Sequence, residues 1–243
     1  MLIIFNIDNM KKIQVKIKKK ISKDAKSILI AMLLGDGTIC NNNVFKLCHA
    51  IEQQEYLEWK IKLLNELGIK NNGLKTYISS CGYNTGSKVV YTQLGIIPTI
   101  KALRRTVYKP KKQITRKLLD WLDARGLAIW FMDDGSINVN TSKQRPSIQH
   151  TILIATCCDK DTADVMIKYF KEVWNVKMRK FPEGNGYSLS TTSESECKKF
   201  VEIVKPYIKE VPSLLYKIRN NFTKQEFIEL QARSAEHLDE VII

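Results

Sequence analysis

The sequence LAIWFMDDG at residues 127–135 has a near copy earlier in the chain, LIAMLLGDG at residues 29–37. Each copy is an apolar run that ends in Asp-Gly. The residues that follow also agree in type, Thr-Ile after the first copy and Ser-Ile after the second. We therefore interpret the chain as two copies of one structural unit.

Both apolar runs predict helices that are buried on most sides, and the natural partner of each helix is the other copy. Ala31 and Gly35 share one face of the first helix, and Ala128 lies near the matching place in the second. Such small residues allow the two backbones to approach closely. Gly37 and Gly135, which follow the acids, are expected to end the helices in the left-handed conformation.

This packing predicts that Asp36 and Asp134 lie side by side at the end of the helix pair. Two close carboxylates repel each other, so one takes up a proton unless a cation lies between them. A hard divalent ion, Mg2+ by default, is the expected occupant. Asp133 is a third carboxylate nearby, but it is turned about 100° from Asp134 around a helix, so we do not expect it to take a direct catalytic role.

The two Asp-Gly runs resemble the paired LAGLIDADG motifs of single-chain homing endonucleases, in the intron-encoded branch carried by mobile genetic elements. The resemblance extends over most of residues 22–225, in motif spacing as in chain length. It implies an α+β, pseudo-two-fold duplicated fold, in which two antiparallel sheets form a DNA-binding saddle with the motif helices at its centre. Ile129 and Met132 are bulkier than the family's usual residues at this helix interface.

The resemblance also implies an activity. Enzymes of this kind are monomers that hydrolyse phosphodiester bonds in both strands of a long double-stranded DNA site and leave short 3′ overhangs. The implied cofactor is Mg2+, with Mn2+ expected to substitute and Ca2+ expected to support binding without cleavage. Asp36 and Asp134 are the implied catalytic metal ligands, one for each strand, and the backbone carbonyls of Gly35 and Asp133 are implied to join them.

Two lysines match the places from which the family brings basic side chains to the scissile phosphates. Lys112 precedes Gln-Ile at the end of the first unit, and Lys217 lies in the sequence LLYKI at residues 214–218. Cations at such places polarise water or offset developing charge, so both lysines are candidate catalytic residues. Lys209 occupies the internal-repeat position of Lys112 and remains an alternative.

Hydrophobic periodicity and turn residues divide the chain into four parts: a basic N-terminal arm (1–21), a first half (22–112), a second half (113–225) and a C-terminal tail (226–243). The first half is predicted to contain, after its motif helix, strand 44–51, helix 52–67, strands 74–80 and 88–94, and helix 98–107. The second half is predicted to repeat this order with strand 148–157, helix 161–174, strands 176–181 and 187–191, and helix 195–207.

Antiparallel sheets that pack one face on helices leave the other face free, and a two-fold arrangement joins the free faces into one trough. A β-ribbon fits the major groove of DNA, where side chains bond base edges and phosphates. Strand alternation places nine polar or basic residues on the open side: Lys46, Lys75, Tyr77, Ser79, Lys88, Gln149, Lys177, Arg179 and Ser190. A register error of one residue would move a strand's whole set to the other face.

The composition agrees with a folded protein that binds a polyanion. The 39 basic residues outnumber the 25 acidic ones, for a formal net charge of +14, and 44% of the 243 residues are apolar. The six cysteines show no C-x-x-C spacing, which argues against a zinc site or a disulfide framework and favours a reducing intracellular compartment, organellar or bacterial. Neither a membrane span nor a glycine-rich nucleotide loop is found.

Two rival functions fit the same scaffold. An intron maturase would bind RNA to assist group I intron splicing, with cleavage lost or secondary, and it could keep both acids. A DNA-binding regulator would tolerate loss of Asp36 or Asp134, and neither is lost here. Retention of both acids favours a nuclease that acts on double-stranded DNA.

Overall fold

The structure, a computed structural model, describes residues 21–80, 85–95, 97–108, 112–142 and 145–221, with the backbone alone at 139–142, 145–149 and 219–221. The predicted C-terminal tail and all of the predicted arm except Ile21 lie outside this part of the chain. Within it, the first half comprises α1 (Lys23–Leu34), β1 (Thr38–Ile39), β2 (Phe45–Ala50), α2 (Gln54–Glu66), β3 (Lys75–Ile78), β4 (Lys88–Leu94) and α3 (Pro98–Val107).

A short helix, α4 (Arg116–Leu119), leads into the second half. That half comprises α5 (Ala124–Asp134), β5 (Gly135–Ser142), β6 (Arg145–Cys158), α6 (Lys160–Trp174), β7 (Met178–Glu183), β8 (Gly186–Thr191) and α7 (Glu194–Ile208), with a 3-10 stretch at Pro212–Asn221. Strand β5 was not predicted, although Ile137 and Val139 alternate with polar residues there. No helix of the described residues combines the length and apolar character that crossing a membrane requires.

Two four-stranded antiparallel sheets carry the same topology, β1-β2-β4-β3 in the first half and β5-β6-β8-β7 in the second. In both sheets the strand after the motif helix lies at one edge, and the hairpin formed by the last two strands lies at the other. The predicted α+β fold built from a duplicated unit is therefore confirmed. Each sheet packs its apolar residues against the helices, which places the core between the sheets and α1 and α5.

The motif helices α1 and α5 pack against each other at the centre, and their apolar runs at 28–34 and 126–132 are buried throughout. Side chains join the two helices near their N-terminal ends. The Ser27 hydroxyl donates to Asp123 Oδ1 at 2.9 Å and accepts from the Asp123 backbone N–H at 3.0 Å. Asp123 also caps α5 by accepting from the Gly126 N–H at 2.7 Å. This anchoring sets the axial position at which both helices end.

The glycines after the two acids do not have the left-handed conformation that the sequence predicted. Gly135 has φ −92° and ψ 152°, and Gly37 is not among the positive-φ glycines of the described chain. Both positions instead lack room for a side chain. An added Cβ would lie 2.4 Å from the Met32 carbonyl oxygen at Gly37 and 2.0 Å from the Phe131 ring at Gly135. Close packing of the chain against its own helix therefore explains these glycines.

Candidate active site

The two motif acids come from the ends of the packed helices, since Asp36 lies just beyond α1 and Asp134 is the last residue of α5. Burial raises the pKa of Asp36 to about 6, and the neighbouring carboxylate of Asp133 adds to the effect. Burial also raises the pKa of Asp134 to about 7, with Asp133 and Asp36 contributing. The Asp36 side chain still keeps 38% of its surface exposed. The site therefore holds crowded carboxylates that remain accessible to an ion from solvent.

Two lysines reach this site in matching ways. Lys112 Nζ donates to the Gly35 carbonyl at 3.2 Å, and Lys217 Nζ donates to the carbonyls of Asp133 at 3.3 Å and Gly135 at 2.9 Å. Burial lowers the pKa of both lysines, while the nearby acids act in the opposite direction. The structure thus brings together both predicted lysines and both predicted backbone carbonyls.

Asp133 points into the first half of the protein, where its carboxylate is fully buried. Its Oδ1 accepts hydrogen bonds from Lys60 Nζ at 2.6 Å and from the Tyr56 hydroxyl at 2.8 Å, and its Oδ2 accepts from the Asp36 backbone N–H at 3.3 Å. Gly35 makes this placement possible, because a Cβ there would lie 2.3 Å from Asp133 Oδ2. The glycine of the first motif therefore leaves space for the additional acid of the second.

Replacing Gly35 with alanine should destabilise the protein by about 1–3 kcal/mol, because the added methyl overlaps the Asp133 carboxylate and displaces it from Lys60. Urea unfolding followed by circular dichroism measures the change. Gly95→Ala is the matched control, since the nearest atom to a Cβ there is 3.5 Å away, an ordinary contact. Equal urea concentrations at the unfolding midpoint of Gly35→Ala and Gly95→Ala would show that the Asp133 carboxylate is not confined by Gly35.

His49 is a buried part of the same cluster. Its Nε2 lies 3.1 Å from Lys60 Nζ, and because an ammonium group can only donate, Nε2 is the acceptor. The ring proton is therefore assigned to Nδ1, which donates to Gln53 Oε1 at 3.1 Å and faces Asp36 Oδ2 at 3.5 Å. Burial and then the nearby Lys60 lower the pKa of His49 to about 4, so the imidazole is neutral near pH 7.

Two sets of side chains at this site could bind a metal ion, and both include Asp36. The ligand atoms of Asp36, His49 and Asp133 all lie within 4.8 Å of one another. However, Lys60 already contacts both His49 and Asp133, and its ammonium group would repel a cation placed among them. Asp36 and Asp134 fit a hard divalent ion better, because a bound cation would stabilise both carboxylates in the charged form, which burial and the neighbouring Asp133 disfavour.

A comparison with sequence models of protein families matches residues 26–200 to the LAGLIDADG DNA endonuclease family. The chain belongs to this family. Among curated proteins it is similar to Protein RecA of Mycolicibacterium fallax, with 28% identity over 210 residues, and to Protein RecA of Mycobacterium shimoidei, with 29% identity over 210 residues. Each match covers 80% of this chain and 46% of the relative, so the chain spans about half the length of these proteins.

Among solved structures, this LAGLIDADG protein is similar to the homing endonuclease I-WcaI bound to its DNA recognition sequence. The TM-score is 0.67 at 19% sequence identity, and the match covers 82% of this chain and 87% of the other. At this level of identity the likeness concerns the fold. It extends over both halves and confirms the architecture that the two motifs predicted.

On the first sheet of the LAGLIDADG protein, the strand register places Lys46, Lys75 and Tyr77 on one face. Lys46 Nζ lies 4.6 Å from the centroid of the Tyr77 ring and 4.8 Å from that of Tyr91, which orders this basic and aromatic surface. Ser79 follows β3 in the same alternation.

Lys88 needs a correction, because it pairs with Ile78 and so lies on the face opposite to that of Tyr77. The phase of β4 relative to β3 was therefore predicted wrongly. A strand's phase depends on which residues pair across the hairpin, and the sequence alone did not establish that pairing.

On the second sheet, Lys177 and Arg179 are exposed as predicted for an open face. Ser190 pairs with Arg179 and shares its face, but only 4% of its surface is exposed. Its hydroxyl donates to the Thr191 carbonyl at 3.3 Å. Ser190 therefore lies on the face that was predicted, but it is too covered for the predicted contact with DNA, because β8 is a central strand. The side chain of Gln149 lies outside the described residues.

Sequence reasoning missed the roles of Tyr56, Lys60 and His49 in the site. A signal was available at Lys60, which lies within the apolar stripe of α2 between Tyr56 and Leu63. A lysine in such a stripe requires a buried acidic partner, and Asp133 is that partner. Lys209, the alternative to Lys217, caps the C-terminus of α7.

Proposed function

We propose that this protein is a site-specific endonuclease that cuts both strands of a long double-stranded DNA target. The observation that carries the proposal is that Asp36 and Asp134 interact electrostatically at the ends of the packed helices, while Lys112 and Lys217 donate to backbone carbonyls next to these acids. Membership of the LAGLIDADG DNA endonuclease family supports it. So does the likeness to I-WcaI, a homing endonuclease bound to its DNA recognition sequence.

Asp36 and Asp134 would hold divalent ions, Mg2+ in the first instance with Mn2+ as a substitute, and the carbonyls of Gly35 and Asp133, which directly precede the two acids in the sequence, would contribute. A bound ion of this kind supplies an activated water and stabilises the departing 3′ oxygen. Ca2+ is expected to support DNA binding without cleavage. The donor set consists of oxygen atoms, which is the set that hard cations prefer.

Lys112 and Lys217 would act on the scissile phosphates. Their ammonium groups lie beside the acids and are partly desolvated, so they offset charge that develops on the phosphate more effectively than solvated lysines would. The lowered pKa of each lysine also eases transfer of a proton to a leaving oxygen. One lysine stands in each half, which matches one cut in each strand.

The open sheet faces would bind the DNA. Lys46, Lys75 and Tyr77 of the first sheet and Lys177 and Arg179 of the second offer hydrogen-bond donors and cations to phosphates and base edges. The net charge of +14 favours such a polyanionic partner.

Selection from a randomised double-stranded DNA library for molecules cut in Mg2+ tests the proposal. We expect a long common sequence to emerge, broken in both strands with short 3′ overhangs. Recovery of no cut DNA, combined with specific binding to a structured intron RNA, would replace the nuclease with a maturase. Specific DNA binding without any cleavage would replace it with a regulator.

DNA affinity should fall steeply with salt, because each neutralised phosphate contributes about −0.9 to the slope of log affinity against log salt concentration. Fluorescence anisotropy with the selected duplex in Ca2+ measures this slope. Lys46→Gln should make the slope less steep by about one unit, because Lys46 lies on the proposed DNA face. Lys88→Gln, on the opposite sheet face, should leave it unchanged. A flat response of the unmodified protein would contradict binding through the sheets.

A further inference from the structure

The two halves of the site are unequal, and the inequality starts at one position of the motif. The first motif has Gly35 where the second has Asp133. Asp133 reaches into the first half and meets Tyr56 and Lys60 of α2. The buried residues of α6, the corresponding helix of the second half, include no charged residue: Ala163, Met166, Tyr169 and Phe170. The buried ion pair that Asp133 makes with α2 therefore has no counterpart among the buried residues of α6.

Two routes lead from Lys60 to Asp36. Along the first, Lys60 Nζ donates to Asp133 Oδ1 at 2.6 Å, and Asp133 Oδ2 accepts from the Asp36 backbone N–H at 3.3 Å. Along the second, Lys60 Nζ donates to His49 Nε2 at 3.1 Å, and His49 Nδ1 lies 3.5 Å from Asp36 Oδ2. The first route ends at the backbone N–H of Asp36, and the second ends at its carboxylate. Both contacts depend on the same ammonium group.

Such an array is rigid for a physical reason. Lys60 and Asp133 are both fully buried, so neither can exchange its partner for water without a large loss of free energy. Tyr56 and His49 occupy further hydrogen-bonding positions around them. A satisfied buried network of this kind holds its members in one geometry. Asp36, at its edge, is thereby fixed in position and in orientation.

We propose that Lys60 is a positioning residue for Asp36 and not for Asp134. This inference rests on the proposed nuclease function. The DNA strand cut through Asp36 then depends on Lys60, because misplacement of a reacting group by a fraction of an ångström slows a reaction strongly. The strand cut through Asp134 does not share this dependence. The two strands are cut at independent rates, and a nicked duplex lies between substrate and product.

The variants are chosen to separate positioning from folding. Lys60→Met alone leaves a buried unpaired carboxylate, so it is combined with Asp133→Asn, which removes both charges together. Tyr56→Phe is a milder variant that removes one hydrogen bond to Asp133 and keeps the ion pair. Lys62→Met is the matched control, because Lys62 is an exposed lysine of the same helix.

Single-turnover cleavage of the selected duplex, with each strand labelled in turn, measures the two rates separately. The strand that depends on Asp36 is identified as the one slowed most by Asp36→Asn. In the Lys60→Met/Asp133→Asn protein we expect this strand to be slowed at least about tenfold more than the other strand. Nicked duplex should accumulate. Tyr56→Phe should slow the same strand by a smaller factor, and Lys62→Met should slow neither.

Equal slowing of both strands, or of neither, would overturn the inference, because a purely structural role of Lys60 has no preference for one strand. Should the combined variant fail to fold, the strand ratio of Tyr56→Phe decides in the same way. Absence of cleavage by the unmodified protein on any selected duplex would instead reject the proposed function. The two failures are therefore distinct.

Discussion

Asp36→Asn and Asp134→Asn should each abolish double-strand cleavage, with a rate loss of at least about 10²–10³-fold, the loss typical for removal of one charge-stabilising group. An amide carries no charge and is a weaker ligand for hard cations than a carboxylate. DNA binding in Ca2+ should stay close to that of the unmodified protein, because the sheet faces supply most of the proposed contacts. Cleavage of a plasmid with one target site, in Mg2+, measures the effect.

The control for these variants is Asp120→Asn, which removes an exposed acid that pairs with Arg116 outside the site. It should cut at the normal rate. A thermal-shift assay provides a second reading, because a bound ion stabilises the folded protein by mass action. Mg2+ should raise the melting temperature of the unmodified protein and have less effect on either variant. Full cutting by the Asp36→Asn/Asp134→Asn double variant would refute the assignment of these acids.

Lys60→Met should destabilise the protein by about 3–5 kcal/mol, the usual result of breaking a buried ion pair by removal of one partner. For a chain of this length that corresponds to a melting temperature lower by roughly 6–20 °C. The cause is the carboxylate of Asp133, which has no exposed surface and would lose its closest cation. Denaturant unfolding and differential scanning calorimetry measure the loss.

The combined variant Lys60→Met/Asp133→Asn should recover a large part of this stability, since it leaves no uncompensated buried charge. The two substitutions are therefore expected to be strongly non-additive. Lys62→Met, on the exposed side of the same helix, should change the free energy of unfolding by less than about 0.5 kcal/mol. Additive effects, or a stable Lys60→Met protein, would show that Asp133 finds water or another partner.

Local patterns predicted most of the secondary structure, because apolar periodicity and turn residues act over short distances along the chain. The helix predicted at 98–107 has the bounds that the structure shows, and a proline at its first position explains the agreement. The strand β5 was missed although its alternation was present. The glycines at positions 37 and 135 were predicted to adopt a left-handed backbone conformation, but the structure shows that they are needed because a side chain would not fit there. A sequence alone does not distinguish these two reasons for a glycine.

The site itself was predictable in part. The repeat placed Asp36 and Asp134 at equivalent helix ends, and two equivalent helices that must bury their apolar faces have each other as the natural partner. Lys112 and Lys217 were expected through the family resemblance, and the structure places both beside the acids. The neutral His49 beside Asp36 was not expected, because its neighbours come from other elements of the fold.

The sequence by itself determined that this protein consists of two related halves, each contributing one buried helix and one acid, because duplication and periodicity are written in the order of residues. Only the tertiary structure decided that Asp133 joins Lys60 of the other half, that Lys88 faces away from Tyr77, and that Ser190 is covered. Those outcomes depend on strand pairing and on packing between residues far apart in the chain, and a local pattern carries no information about either.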